Sequence, residues 1–376
     1  MSWSSVIGHE RVKEILTGSL KRNRIAHAYL FTGPEGVGKY AFALELAKTV
    51  NCEKQLSEAC DECASCKQIA TLQHPNLHLI FNLPVGKSES ADDSPLEKLS
   101  QDEISGIQGQ LRLLAENSFY KLKIARANAI KINSVREIRR EATLTMFGSG
   151  KRVFIILDAD KMNDPAANAL LKTLEEPHSD TMLILISNTQ DALLPTIISR
   201  CQHIRFESLS EEIIAKSLEE RKQLNKKTAH QISRLANGSY SKALQFVDSE
   251  YQNEQMQALD LLRLLLTRSR SEIIAAADQI AKEKERPEIE ITIRLLQQWF
   301  RDGMAIKEHI VSPDVENDDI ALSKFVRAYP LWDYPRTIEI LERAVSLLDK
   351  NVYIPLIIID IAINLRSAVG TISVAR

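Results

Sequence analysis

One heptapeptide constrains this chain more than any other stretch of it. Gly33-Pro34-Glu35-Gly36-Val37-Gly38-Lys39 fits the phosphate-loop pattern G-x-x-x-x-G-K. It follows the apolar run Ala28-Tyr29-Leu30-Phe31 and precedes a helical pattern through Ala41, Leu44, Leu46 and Ala47. In that strand–loop–helix context, loop amides and a helix N-terminus face an anion, and the lysine adds a point charge. The pattern is nevertheless incomplete. The next residue is Tyr40, where Ser or Thr would offer a hydroxyl to the Mg²⁺ bridging a nucleotide's phosphates. Tyr is too long and too rigid to place its oxygen there. The loop is shaped to hold phosphate and poorly equipped to use it.

A second departure lies further along. The apolar run Val153-Phe154-Ile155-Ile156-Leu157 ends in Asp158-Ala159-Asp160. An Asp at the carboxyl end of a buried parallel strand is where such a site keeps its second Mg²⁺ contact. The residue after it is ordinarily a Glu that orients water. Here it is Ala159, and a methyl group activates nothing. The chemistry expected of such a fold is therefore lost.

The rest of the first half alternates in the same manner. A helix is expected over 5–25 and another over 166–176, stopped by Pro177. Apolar strands are expected at 182–186 and 204–206, with a short helix at 193–198 between them that delivers Ser199-Arg200-Cys201. Alternating strands and helices mean an α/β core, a parallel sheet with helices on both faces. Residues 84–100 are rich in Ser, Asp, Pro and Gly and read as an exposed linker. Residues 101–127 read as a charged helix, so 84–128 is an insertion between core elements. At 134–137, Ser134 and Glu137 form a capping box, and Arg136, Arg139 and Arg140 share one helix face. That face is either a contact for nucleic acid or an ordinary solvated one.

From Ser210 every segment has helical period, as in Ile213, Ile214 and Leu218, in Ala258, Leu261, Leu262 and Leu265, and in Ile338, Leu341, Val345 and Leu348. With 376 residues, two or three domains are expected. We place an α/β core at 1–207, a small helical domain at 208–250 and a helical bundle at 251–376. The 48 basic and 50 acidic residues leave a net charge of −2, so contact with nucleic acid requires a local patch. No run of residues approaches a membrane span, and the first residues lack the pattern of a secretory signal, which implies a cytoplasmic chain.

Cys52, Cys60, Cys63 and Cys66 follow C-x₇-C-x₂-C-x₂-C. Two-residue gaps turn successive thiolates onto one ion, and four sulfurs close a tetrahedral structural Zn²⁺ site. An iron–sulfur cluster uses similar spacing but lacks its usual fourth cysteine here, and a redox C-x-x-C needs only two thiols. His74 reads as a local structural histidine and Cys201 as a core residue.

Together these pieces resemble bacterial clamp-loader proteins of the AAA+ superfamily, specifically the delta-prime subunits of DNA polymerase III. The resemblance rests on Val6-Ile7-Gly8-His9, on His27 through Lys39, and on the cysteine module closing with His74-Pro75-Asn76. It also rests on Asn168 through Pro177 and on Leu194-Pro195-Thr196-Ile197-Ile198-Ser199-Arg200-Cys201. It covers 1–83 and 129–250; the last domain matches only as a helical bundle.

The resemblance implies a pentameric ring in which motor subunits and a delta subunit load a sliding clamp onto primer–template DNA. It implies an AAA+ core, a small helical lid domain and a C-terminal oligomerisation collar. Arg200, flanked by Ser199 and Cys201, is then a trans-acting arginine finger for a neighbour's ATP. Gly33, Gly36, Gly38, Lys39, Tyr40 and Asp158 form a degenerate nucleotide site, open to ATP binding but not expected to hydrolyse it. Arg136, Arg139 and Arg140 fall on the helix that tracks DNA in that family. Motor subunits carry Gly-Ser-x-Arg in the small helical domain, where this chain has Gly238-Ser239-Tyr240-Ser241. The alternative is an ATP-hydrolysing motor of the gamma/tau type.

Overall fold

The computed structural model describes residues 3, 6–54, 57–86, 88–90, 93–143, 148, 150–248, 251–308 and 320–368. It divides into two compact units, Met1–Ala243 and Leu244–Arg376. The start expected for the first helix, residue 5, and the domain boundary drawn at 250 lie outside the described residues.

The first unit is built on five parallel strands in the order β2-β3-β4-β1-β5. They are β1 (Ala28–Thr32), β2 (Leu77–Ile80), β3 (Arg152–Ile156), β4 (Thr181–Ser187) and β5 (Gln202–Arg205). Every residue of β1, β3 and β4 is buried, which is why these strands read as unbroken apolar runs. Register pairs Leu30 with Leu185 and Ile155 with Ile184, so β1 lies beside β4. The helices of this part are α1 (Glu10–Lys21), α2 (Lys39–Val50), α3 (Ala64–Ala70), α4 (Gln101–Glu116), α5 (Ile132–Ala142), α6 (Asp164–Glu175) and α7 (Pro195–Ile198). A core of Leu30, Phe154, Ile156, Leu170, Leu174, Leu183 and Leu185 binds α5 and α6 to the sheet. Helix α2 is buried from Lys39 to Thr49, so the element behind the phosphate loop is held on all sides.

Three local expectations fail. The helix expected over 101–127 ends at Glu116, because the Asn117 side chain accepts from the Phe119 amide (3.0 Å) and turns the chain. The 84–100 stretch is anchored: Lys131 Nζ pairs with Glu89 at 2.6 Å and donates to the carbonyls of Pro84 and Pro95, both at 3.0 Å. Ser134 is not a helix cap. Helix α5 begins at Ile132 after Lys131, because Ala129 and Ile130 are already pinned by bridges to Leu83 and Met162. Strand β2 went unread because its four residues carry no strong pattern, with His78 among them.

The Ser134 hydroxyl is buried with no hydrogen-bond partner among the described residues. Removing a true cap costs about 1 kcal/mol. Removing an unpartnered buried hydroxyl is neutral, or stabilises by up to about 1 kcal/mol. Chemical denaturation of Ser134→Ala is expected to show a midpoint unchanged or raised. A fall worth 1 kcal/mol or more would return Ser134 to the capping role.

After the sheet come α8 (Glu211–Lys222), α9 (Lys226–Leu235) and α10 (Tyr240–Asp248). The second unit is helical among its described residues: α11 (Tyr251–Thr267), α12 (Arg270–Glu283), α13 (Arg286–Lys307), α14 (Ile320–Ala328), α15 (Tyr334–Asp349) and α16 (Ile354–Ala368). Its core stacks Phe300 on Trp332 with centroids 5.5 Å apart, and the Trp332 indole N–H donates to Thr337 at 2.9 Å. Among the described residues no helix is long and apolar enough to cross a membrane.

Candidate functional site

The carboxyl ends of β1, β3 and β4 converge on one place, the crevice where open α/β sheets bind ligands. The phosphate loop leaves β1 there. Gly36 (φ 78°) and Gly38 (φ 106°) take backbone angles that L side chains avoid. A Cβ on Gly36 would also collide with the Ser239 hydroxyl, so the loop can pass only as glycine.

Lys39 is only 5% exposed, and its ammonium is fully engaged within the protein. It donates to the carbonyls of Gly33 (2.6 Å) and Pro34 (2.5 Å) and to Asn188 Oδ1 (2.8 Å). An ammonium has three hydrogens, so these contacts use its whole donor capacity. Burial lowers its pKa to about 8, although Glu35, Asp158 and Asp160 work in the opposite direction. Tyr40 is 9% exposed, and its hydroxyl is buried without a hydrogen-bond partner among the described residues. Burial pushes that phenol's pKa up. That hydroxyl belongs to the residue that follows Lys39, where the loop pattern has Ser or Thr.

Asp158 stands at the end of β3 in the left-handed region (φ 50°, ψ 51°), an uncommon conformation for Asp that suits a functional turn. It pairs with Lys161 at 2.9 Å and accepts from Asn188 Nδ2 at 3.4 Å. Asn188 therefore links Lys39 to Asp158. Read from the sequence, Asn188 lies two residues past the strand expected at 182–186, and no role was expected of it. Its signal was that position, beside the strand bearing the loop. Ala159 is fully buried in the core, and the neighbouring Asp160 carboxylate already accepts from the Ser187 hydroxyl (2.8 Å) and the Asn188 amide (3.3 Å). The Ala159 methyl has no polar atom with which to position a water, and Asp160 Oδ1 is committed to Ser187 and Asn188.

Two further segments reach this crevice. The Ser241 amide donates to the Gly36 carbonyl at 3.2 Å. Lys121 pairs with Glu35 at 2.7 Å, and Phe119 lies against Gly38. The partly open cleft between them is about 240 Å³ and is bordered by Lys39, Tyr40, Asp158, Asn188 and the 118–124 segment. Nothing in the local sequence of the insertion announces this return.

Arg200 lies elsewhere on the first unit, at the end of α7. It is partly exposed, pairs with Glu175 at 2.8 Å and donates to the Thr196 carbonyl at 3.0 Å. Ser199 is exposed, while Cys201 packs against the core, where burial raises its thiol pKa to about 12. Arg136, Arg139 and Arg140 lie exposed on α5, whose opposite face buries Val135 and Ile138.

The four cysteines form a second centre. Their sulfurs all lie within 4.8 Å of one another, with Cys60 and Cys66 at 4.0 Å. Zinc–sulfur bonds of about 2.3 Å in a tetrahedron need sulfurs about 3.8 Å apart, so the set fits such an ion. Amides of Cys63 and Cys66 point at the sulfurs of Cys60 (3.3 Å) and Cys63 (3.4 Å), as thiolates require. The N–H groups of Cys63 and Glu62 lower the Cys60 thiol pKa to about 6. His74 is excluded as a ligand, since its Nε2 meets the Ser65 hydroxyl (3.1 Å) and its Nδ1 accepts from the Asn76 amide (3.1 Å).

A family model described as DNA polymerase III, delta subunit, matches residues 8–210. The DNA polymerase III subunit delta' of Bacillus subtilis (strain 168) is 31% identical over 303 residues, covering 79% of this chain and 77% of that one. The tau subunit of the same organism is 26% identical over 316 residues, covering 82% of this chain; this chain spans 48% of tau. A solved gamma-subunit-related protein of Thermotoga maritima aligns over 96% of this chain and 98% of its own, at 15% identity and a TM-score of 0.36. The assignment does not depend on that loose likeness. The family match runs through the sheet that carries the phosphate loop, and with the delta' relative it shows that the chain belongs to the DNA polymerase III delta-subunit family of clamp-loader proteins.

Proposed function

We propose that this chain is a delta-prime-type subunit that completes a neighbouring motor's ATP site and does not turn over ATP itself. The observation that carries this reading is the state of Lys39, spent on its own loop and on Asn188, with the Tyr40 hydroxyl beside it lacking a partner among the described residues. Ala159 and Ser241 add to it, each replacing a group that a motor uses. Arg200 is the contribution in trans, offered from α7 to the γ-phosphate of a neighbour's ATP. The domains keep the division 1–207, 208–250 and 251–376, with the last as the collar of a cytoplasmic ring that also holds motor subunits and a delta subunit. The ring loads a sliding clamp onto primer–template DNA, and the four cysteines hold structural Zn²⁺. In the reconstituted loader, Arg200→Ala is expected to depress ATP turnover while Lys39→Ala leaves it near normal.

A motor of the gamma/tau type is the second reading. The tau match over 82% of this chain and the intact Lys39 and Asp158 favour it. Damage by Lys39→Ala in the same assay would establish it.

The exposed arginines of α5 are proposed to face the DNA backbone inside the ring. Each phosphate contact contributes about 0.9 to the slope of affinity against salt on logarithmic axes. Changing Arg136, Arg139 and Arg140 to Ala together is expected to weaken DNA binding by the assembled loader and flatten that slope by up to about 3. Unchanged affinity and slope would make α5 an ordinary solvated face.

A further inference from the structure

The insertion does not simply hang from the core. After α4 ends, residues 117–123 come back to the phosphate loop and are tied to it from three directions. The Phe119 ring fills the space that a Cβ on Gly38 would need, with its Cε1 3.0 Å from that point. Its other side meets Tyr240 edge-on at 4.8 Å between centroids, and Phe119 is only 7% exposed. The Ser241 hydroxyl donates to the Phe119 carbonyl at 2.5 Å, and Lys121 pairs with Glu35 of the loop at 2.7 Å. The segment itself is braced by α4, where Gln110 Oε1 accepts from the Tyr120 hydroxyl (3.1 Å) and the Lys123 amide (2.7 Å). An aromatic ring thus sits at the start of α2, where the loop would present amides to a phosphate.

We propose that residues 117–123 are a built-in plug, which stands where nucleotide would enter and keeps ATP out of this chain's own phosphate loop. Lys39 turned onto Gly33, Pro34 and Asn188 is the loop's matching closed state. The apparent affinity of a site is its intrinsic affinity reduced by the fraction of molecules in which it is open. Phe119, buried between the loop and Tyr240, makes that fraction small. The proposal rests on the non-motor reading above and gives it a cause beyond the loss of single groups.

The test is binding of Mg²⁺–ATP to the full chain by equilibrium dialysis. Phe119→Ala with Lys121→Ala is expected to tighten binding at least about tenfold by raising the open fraction. Adding Lys39→Ala is expected to cancel the gain. Lys121→Glu alters an exposed side chain and opposes Glu35, so it gives a smaller gain of the same sign even where the Phe119 change disturbs folding. Folded variants that bind ATP no better than the wild type would overturn the plug. So would tight binding by the wild type with the amides of 117–123 still protected from hydrogen exchange. Turnover at motor-like rates by either variant would overturn the non-motor reading and leave the plug standing, so the two failures are separable.

Discussion

Replacing Arg200 with Ala in a reconstituted loader is expected to remove most of the hydrolysis at the one neighbouring site that this chain is proposed to complete. An arginine supplied in trans neutralises charge developing on the γ-phosphate and is worth about 10³–10⁵ in rate at its own site. Ring turnover then falls by at least that site's share, and clamp loading falls further where sites must fire together. Arg200→Lys is not expected to rescue, because a point charge cannot reproduce the planar guanidinium fork. The guanidinium is available for such work. Among the described residues its contacts are Glu175 at 2.8 Å, the Thr196 carbonyl at 3.0 Å and the Ser199 hydroxyl at 3.5 Å, on a partly exposed surface. A pair of that kind holds by about 1 kcal/mol or less, so a phosphate can displace it. Lys39→Ala is the internal contrast, since it removes a residue already saturated by its own protein. Full turnover with Arg200→Ala, or collapse with Lys39→Ala, reverses the assignment.

The second large effect is expected from the four cysteines. Elemental analysis is expected to find one zinc per chain, and Cys66→Ser to lose it. A tetrahedral ion held by these four sulfurs would tie Cys52, just past the end of α2, to the start of α3, next to the buried Lys48 that pairs with Glu45 (2.7 Å) and Asp61 (2.6 Å). Losing it leaves a pocket of thiols beside the buried Ala59 and removes the tie between α2 and α3. A cost of about 3 kcal/mol, a fraction of what structural zinc supplies to an isolated finger, lowers Tm by roughly 6–12 °C in a domain of this size. A chelator should reproduce the shift. Absent metal, with an unchanged Tm for Cys66→Ser, would reduce the cluster to packing.

What the sequence determined by itself was local. The phosphate loop, the cysteine spacing and the helix-period stripes after Ser210 are each encoded within a few residues. Glycine angles, thiolate gaps and periods of 3.6 or 2 are properties of short stretches. The departures at Tyr40 and Ala159 were legible for the same reason, as single positions inside a pattern. Tertiary structure decided everything that joins distant residues. The start of α5 was misread because Ala129 and Ile130 are fixed by Leu83 and Met162 rather than by their neighbours. The insertion looked like a loose linker because its anchors, Lys131 on the carbonyls of Pro84 and Pro95, lie far along the chain. The plug is the clearest case: Phe119 meets Ser241 across 122 residues, and no local pattern reports a contact whose free energy comes from burial between two separate segments. The sequence thus set what the loop is, and the packing of remote segments set whether anything can reach it.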